Sequence, residues 1–118
     1  MERKMTDCLF CKMVNGEIAP DKVYEDDDVL AFNDINPVAP VHILVIPKKH
    51  ISTLNDAKDE DTMLLGKLNR VATGLAEKAG FAGEGFRVVM NCNDAAGQAV
   101  HHIHLHLLAG RQMTWPPG

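Results

Sequence analysis

The run His101-His102-Ile103-His104-Leu105-His106-Leu107-Leu108 holds four of the chain's six histidines within six positions. Read as an extended strand over residues 100–108, it sends alternate side chains to opposite faces. His102, His104 and His106 share one face; Ile103, Leu105 and Leu107 share the other, which predicts a core contact. The three imidazoles would then stand in a row, roughly 7 Å apart, at twice the strand rise per residue. A solvent-facing strand that happens to use histidine is the bland alternative, and threonine is a commoner choice there. A metal site is the second reading, since imidazole is the commonest metal-ligating side chain. Steps of ~7 Å exceed the ~3.3 Å between tetrahedral ligands held ~2.0–2.1 Å from zinc, so one straight strand offers a metal one or two of these rings, not three. The third reading is phosphoryl or nucleotidyl transfer. A neutral imidazole attacks phosphorus while its neighbours donate hydrogen bonds to the anionic oxygens. Asn91 and the small-residue stretch Gly97-Gln98-Ala99 just upstream can bring amide donors to an anion.

These side chains need a scaffold, and the patterning supplies one. Residues 41–46 (VHILVI) form a β-branched run that predicts a buried strand ended by Pro47. Residues 21–33 predict two short strands around the acidic Glu25–Asp28, a solvated hairpin turn. From about Asp59 to Ala79 the apolar residues Leu64, Leu68, Val71, Leu75 and Ala79 recur at helical spacing, with acidic residues at the N-terminus and Gly80 as C-cap. Residues 86–90 predict a further strand, 91–99 a loop, and 8–14 a short helical turn closed by Asn15-Gly16. The Gly80-x-x-Gly83-x-Gly85 run follows a helix and precedes a strand, the reverse of a phosphate loop, and reads as a turn. Strands without a βαβ rhythm predict an α+β fold with a mainly antiparallel sheet.

The 118 residues suit one domain over 1–118, with 1–7 flexible. With 46% apolar and 24% charged residues the composition is that of an ordinary globular protein. A net charge of −4 argues against a nucleic-acid polymer as partner, but not against a mononucleotide. No stretch is long and apolar enough for a membrane helix, and the N-terminus lacks a signal-peptide core. Three cysteines, two of them at Cys8-x-x-Cys11, suggest reduced thiols and a cytoplasmic location. A thioredoxin-type pair needs a preceding strand, so Cys8 and Cys11 are either buried thiols or metal ligands.

The segment His102 to Leu108 matches the alternating signature of the histidine triad (HIT) superfamily, and the resemblance covers nearly the whole chain. Phe32-Asn33-Asp34-Ile35-Asn36-Pro37, His42 through His50 and the tail Gly110-Arg111-Gln112-Met113-Thr114-Trp115-Pro116-Pro117-Gly118 also resemble it. Together they point to the histidine triad nucleotide-binding branch, the purine nucleoside phosphoramidases. The resemblance implies a five-stranded sheet with one long and one short helix, continued across a homodimer, and no cofactor for catalysis. It implies cleavage of purine nucleoside 5′-phosphoramidates or aminoacyl-adenylates through a nucleotidyl-histidine on His104. His102 and His106 would bind and polarise the phosphate, with Asn91 and His42 completing the pocket. Asp34 would hold the ribose hydroxyls, and Leu9, Phe10, Phe32, Ile35 and Leu44 would line the purine slot. Trp115, in the tail 109–118, would reach from the partner subunit.

Relatives also carry a structural zinc, for which Cys8, Cys11, His50 and His102 are the matching ligands. Some relatives have serine where this chain has Ala99, which puts protonation of the leaving amine in question. The rival reading is a purine-nucleotide-binding regulatory module whose hydrolysis is incidental. A dinucleoside-polyphosphate hydrolase shares the triad but is disfavoured by the Trp-Pro-Pro-Gly tail.

Overall fold

Five short strands pair antiparallel throughout, in the order β1-β2-β3-β5-β4. They are β1 (Lys22–Glu25), β2 (Val29–Asn33), β3 (Val41–Pro47), β4 (Arg87–Val89) and β5 (Leu105–Ala109), accompanied by helices α1 (Leu9–Val14) and α2 (Thr62–Lys78). The structure is a computed structural model and describes residues 7–118. The expected flexibility of residues 1–7 therefore falls, but for Asp7, outside the described residues. No helix among the described residues is long and apolar enough to cross a membrane.

The acidic run after β1 is a turn held by its own carboxylate. Asp26 Oδ1 accepts the backbone N–H groups of Asp28 and Val29, each at 2.8 Å, an Asx arrangement that replaces two lost ladder bonds. Helix α2 starts three residues later than the periodicity implies, because Asp59–Asp61 forms a 3₁₀ turn. Buried Asp61 fixes that turn by accepting from the Lys58 N–H at 2.9 Å and from Lys49 Nζ at 2.6 Å. At the other end Gly80 takes φ +87°, the Gly80 N–H bonds the Glu77 carbonyl and the Phe81 N–H bonds the Ala76 carbonyl, a Schellman stop.

The sheet separates two cores. On one face Val29, Ala31, Ile43, Val45, Ile103, Leu105 and Leu107 pack with Leu68, Ala72 and Ala76 of α2. On the other, Leu30, Phe32, Leu44 and Ile46 pack with Cys8, Phe10 and Cys11 around α1. Cross-strand register places His42, Leu44 and His106 on this second face, since directly opposed residues of an antiparallel pair share a side.

The last strand is shorter than the alternation implies. β5 begins at Leu105, opposite Val45, and residues 100–104 are irregular. The ladder stops where β3 reaches Pro47, which has no N–H to offer. The Ile103 N–H instead bonds the Ile51 carbonyl at 2.8 Å. Ile103 still enters the α2 core while His102 and His104 are buried, so the sidedness survives without the strand. The regular 7 Å row does not: the rings of His104 and His106 lie 5.0 Å apart, because His104 is outside the pleat.

Candidate active site and metal centre

Five of the six histidines divide between two sets. In the first, His42 stands on β3 and His106 on β5, diagonal neighbours on the α1 face. Their rings meet with His42 Nε2 2.9 Å from His106 Nδ1. The tautomers follow from the partners. The Val38 N–H donates to His42 Nδ1 at 3.1 Å, so in a neutral ring His42 carries its proton on Nε2 and donates it to His106 Nδ1. His106 is then protonated on Nε2. The His104 ring turns the other way, with Nδ1–H donating to the His102 carbonyl at 2.9 Å, which leaves the Nε2 lone pair free. Among the described residues no buried side-chain nitrogen or oxygen lacks a hydrogen-bond partner. The Nε2 atoms of His104 and His106, which have no such partner there, therefore each reach solvent, on rings whose centroids are 5.0 Å apart.

Burial keeps these rings neutral. It lowers the His104 pKa, against the opposing pull of the His102 carbonyl and Asp34. His106 is pushed down to about 4 by burial and by its neighbours His104 and His42, with Asp34 working the other way. His42 is lowered by burial, again opposed by Asp34. Asp34 Oδ1 accepts the Asn36 N–H at 2.8 Å, and Oδ2 lies 3.4 Å from His42 Nε2. Asp34, His42 and His106 are near enough together to suggest a metal trio. The lone pairs of His42 Nδ1 and His106 Nδ1 are already taken by N–H donors, so the trio has too few left for one.

The second set gathers Cys8, Cys11, His50 and His102. All four donor atoms lie within 4.8 Å of one another. Cys8 Sγ is 3.3 Å and Cys11 Sγ 3.6 Å from His102 Nδ1; Cys11 Sγ is 3.2 Å and His102 Nδ1 3.2 Å from His50 Nδ1. Tetrahedral zinc with bonds of ~2.3 Å to sulfur and ~2.0–2.1 Å to nitrogen needs S–N edges of about 3.5 Å and N–N edges of about 3.3 Å. The residues present fit that ion. Their outer nitrogens are also fixed: His102 Nε2–H donates to the Pro47 carbonyl at 2.7 Å and His50 Nε2–H to Ser52 Oγ at 3.1 Å. This turns both Nδ1 lone pairs inward, and metal-bound histidines commonly donate their other ring N–H to an oxygen in the same way. Burial lowers the His50 pKa and takes His102 to about 4, with the Pro47 carbonyl opposing the shift at His102. It raises the Cys11 thiol to about 12, helped by Cys8.

The other expected site residues separate cleanly. Phe10 sits at the junction of the two sets, its ring 5.2 Å from that of His104, 5.8 Å from His102 and 5.5 Å from Phe32. Phe32 and Leu44 are buried beside it, whereas Leu9 is partly open and Ile35 is 90% exposed. Trp115 is 82% exposed, so its indole does not close the site of its own subunit. Asn91 is half-buried, and Gly97 and Ala99 are exposed on the loop before the histidines. Gln98 differs from its neighbours: its side chain is buried, accepting the Asn93 N–H and donating to the carbonyls of Ser52 and Val100. Only its backbone is left for an anion, and its amide holds the loop in shape. Groups the residue pattern could not reveal are the Val38 N–H and the Pro47 carbonyl, because backbone donors and acceptors leave no mark on residue type. A broad groove at the start of α2, lined by Asp28, Lys48, Lys49 and Lys67, is unrelated to the histidines, and its lysines are already paired with carboxylates.

Comparison with known proteins gives the family and the fold. The family profile of the HIT domain matches residues 15–113. The chain is 50% identical over 112 residues to an uncharacterised HIT-like protein of Synechococcus elongatus, covering 95% of this chain and 97% of that one. It is 49% identical to the purine nucleoside phosphoramidase of Escherichia coli, over 89% of this chain and 88% of the relative. Among solved structures, a HIT family hydrolase from Legionella pneumophila superposes with a TM-score of 0.93 at 55% identity, covering 95% of this chain and all of that one. A histidine triad protein from Clostridium difficile superposes with a TM-score of 0.89 at 52% identity, covering 97% of each.

Proposed function

The chain belongs to the HIT family, and on that premise we propose that it is a purine nucleoside phosphoramidase. The observation that carries this reading is the opposed pair of tautomers: a free lone pair on His104 Nε2 beside an N–H on His106 Nε2. One group attacks phosphorus, and the other donates to the oxygen on which charge develops. His104 Nε2 forms a bond to the 5′-phosphorus as the P–N bond to the amine breaks. The amine departs with a proton from the surrounding site or solvent. Water then attacks the same phosphorus, the His104–phosphorus bond breaks, and nucleoside 5′-monophosphate leaves with His104 neutral again.

The purine lies against Phe10, Phe32 and Leu44, bounded by Leu9 and Ile35, and Asp34 accepts from the ribose hydroxyls. The backbone at Gly97, Gln98 and Ala99, with Asn91, borders the phosphate. Cys8, Cys11, His50 and His102 hold a structural zinc, which would supply cross-linking and no chemistry. A second copy of the chain adds its β4 to the free edge of this one, extending the sheet, and brings its Trp115 toward the leaving group. The exposure of Trp115 and of Val88 on β4, at 39%, supports that arrangement.

The test is hydrolysis of an adenosine 5′-phosphoramidate carrying a fluorescent amine. Release of amine with stoichiometric AMP is expected. A folded protein that binds AMP and releases no amine would instead support a nucleotide-binding regulatory module.

A further inference from the structure

The tautomer that makes the His42–His106 contact is set by the Val38 N–H, in the loop between β2 and β3, with the Asp34 carboxylate 3.4 Å from His42 Nε2 acting in the same direction. That loop runs Asn36-Pro37-Val38-Ala39-Pro40, and its two prolines have no N–H, which leaves few handles to hold it. One handle comes from the far side of β5. The Arg111 Nε–H donates to the Val38 carbonyl at 3.1 Å, while Nη1 reaches back to the Gln112 carbonyl at 3.2 Å. No carboxylate among the described residues is paired with this guanidinium. The preceding residue lets the two segments meet. Gly110 takes φ +92°, and a Cβ there would lie 2.8 Å from Pro40 Cβ, so only glycine permits this approach.

One residue is thus gripped at both ends: Arg111 takes its carbonyl, and His42 takes its N–H. If residue 38 turns, the cap on His42 Nδ1 is lost. His42 is then free to protonate Nδ1, to present a lone pair at Nε2, and to leave His106 without a donor at its Nδ1. We infer that Arg111 is a positioning residue for the hydrolytic site, setting the tautomer of His106 through Val38 and His42. The inference rests on the reading of His104 and His106 as the reacting pair. Arg111 touches none of the reacting atoms in this scheme, and its guanidinium acts on the loop alone.

The experiment uses the full chain and compares wild type with Arg111→Ala by two readouts. Two-bond proton–nitrogen NMR correlations report which ring nitrogen of His42 and His106 carries the proton. Steady-state hydrolysis of the fluorescent adenosine phosphoramidate reports kcat and KM separately. Wild type should show both rings protonated on Nε2. In Arg111→Ala the His106 signal should become a mixture of tautomers, and kcat should fall about tenfold, on the scale of one charge-assisted hydrogen bond, with KM within about twofold. Unchanged tautomers overturn the inference whatever the rate does, and so does a kcat within about twofold of wild type. Should Arg111→Ala not fold, Arg111→Gln, which keeps much of the stem without the guanidinium, is read in its place. Should wild type fail to hydrolyse the substrate, the phosphoramidase reading falls, and the NMR comparison alone decides the role of Arg111.

Discussion

In the Cys8–Cys11–His50–His102 set, every donor turns toward a common point and every outer nitrogen is tied to an oxygen behind it. In the His42–His104–His106 set the rings are strung in sequence, each lone pair but one capped by an N–H, and the ends open to solvent. The residue types are nearly the same, and His102 and His104 are two positions apart. Which nitrogen of each ring is occupied from behind decides whether a histidine turns its lone pair into the Cys/His cluster or toward solvent. The lesson is that counting imidazoles says little until their back-side partners are known.

The sharpest way to break this comparison is at His104. Replacing it by alanine should lower turnover by more than about 10³-fold, since neither His42 nor His106 presents a free Nε2 lone pair in its place, while AMP still binds. Turnover within about tenfold of wild type would show that the open set does not do the chemistry. The closed set is tested by its metal. Protein purified without chelator or a metal-affinity step should contain about one zinc per chain, and stripping it should lower Tm by roughly 10 °C or more, given the several kcal/mol a tightly held ion contributes. Less than a tenth of an equivalent would remove the ion from the account. AMP affinity should also weaken on stripping, because Phe10 lies between the two cysteines and touches His104.

Protonation offers a gentler probe of the open set. The His106 ring, held to about 4 against an ordinary value of 6.5, should stay neutral where an unfolded histidine is charged. Because the unfolded chain takes up that proton first, His106 contributes nothing to pH-dependent stability above about 6.5. It costs stability progressively as pH falls toward about 4. An NMR titration of His106 should give a midpoint near the lower limit, and one near 6.5 would mean that the ring is far more hydrated than its surroundings indicate. The smallest effect belongs to Ala99, which is exposed and offers no side-chain hydroxyl. Ala99→Ser should raise turnover by a few-fold, most for the poorest leaving amines. Equal rates across several amines would remove position 99 from the proton path.

Much of this architecture is visible in residue order. The spacing from Leu64 to Leu75 marks α2, the run from Val41 to Ile46 marks β3, and the alternation around His104 separates core from site. The alternation misleads on the length of the strand and on the spacing of the rings. It persists through residues 102–104 because both sides of that segment are walled, by α2 on one and by α1 on the other, so sidedness outlives the ladder that Pro47 ends. The Cys8-x-x-Cys11 pair and His50 are easily noticed, but their meeting with His102 depends on the fold. The expectation at Gln98 concerns its backbone N–H; that its side-chain amide is buried and bonded within the loop is not legible from residue type. The tautomers were beyond reach, since they hang on the backbone of Val38, Pro47 and His102.

The contact between Cys8 and His102 spans 94 positions of sequence. An ion shared by residues 8, 11, 50 and 102 would therefore knot together segments that have no reason to meet in the unfolded polymer. Closing a loop over such a distance costs more entropy than closing a short one, though the cost grows only slowly with length, so the cross-link would restrict the denatured ensemble somewhat more than a local clip of similar strength. It would also impose an order of events. A nascent chain still lacking His102 has at most three of the four ligands, so tight loading must wait until the histidine-rich segment has been made and folded back onto α1.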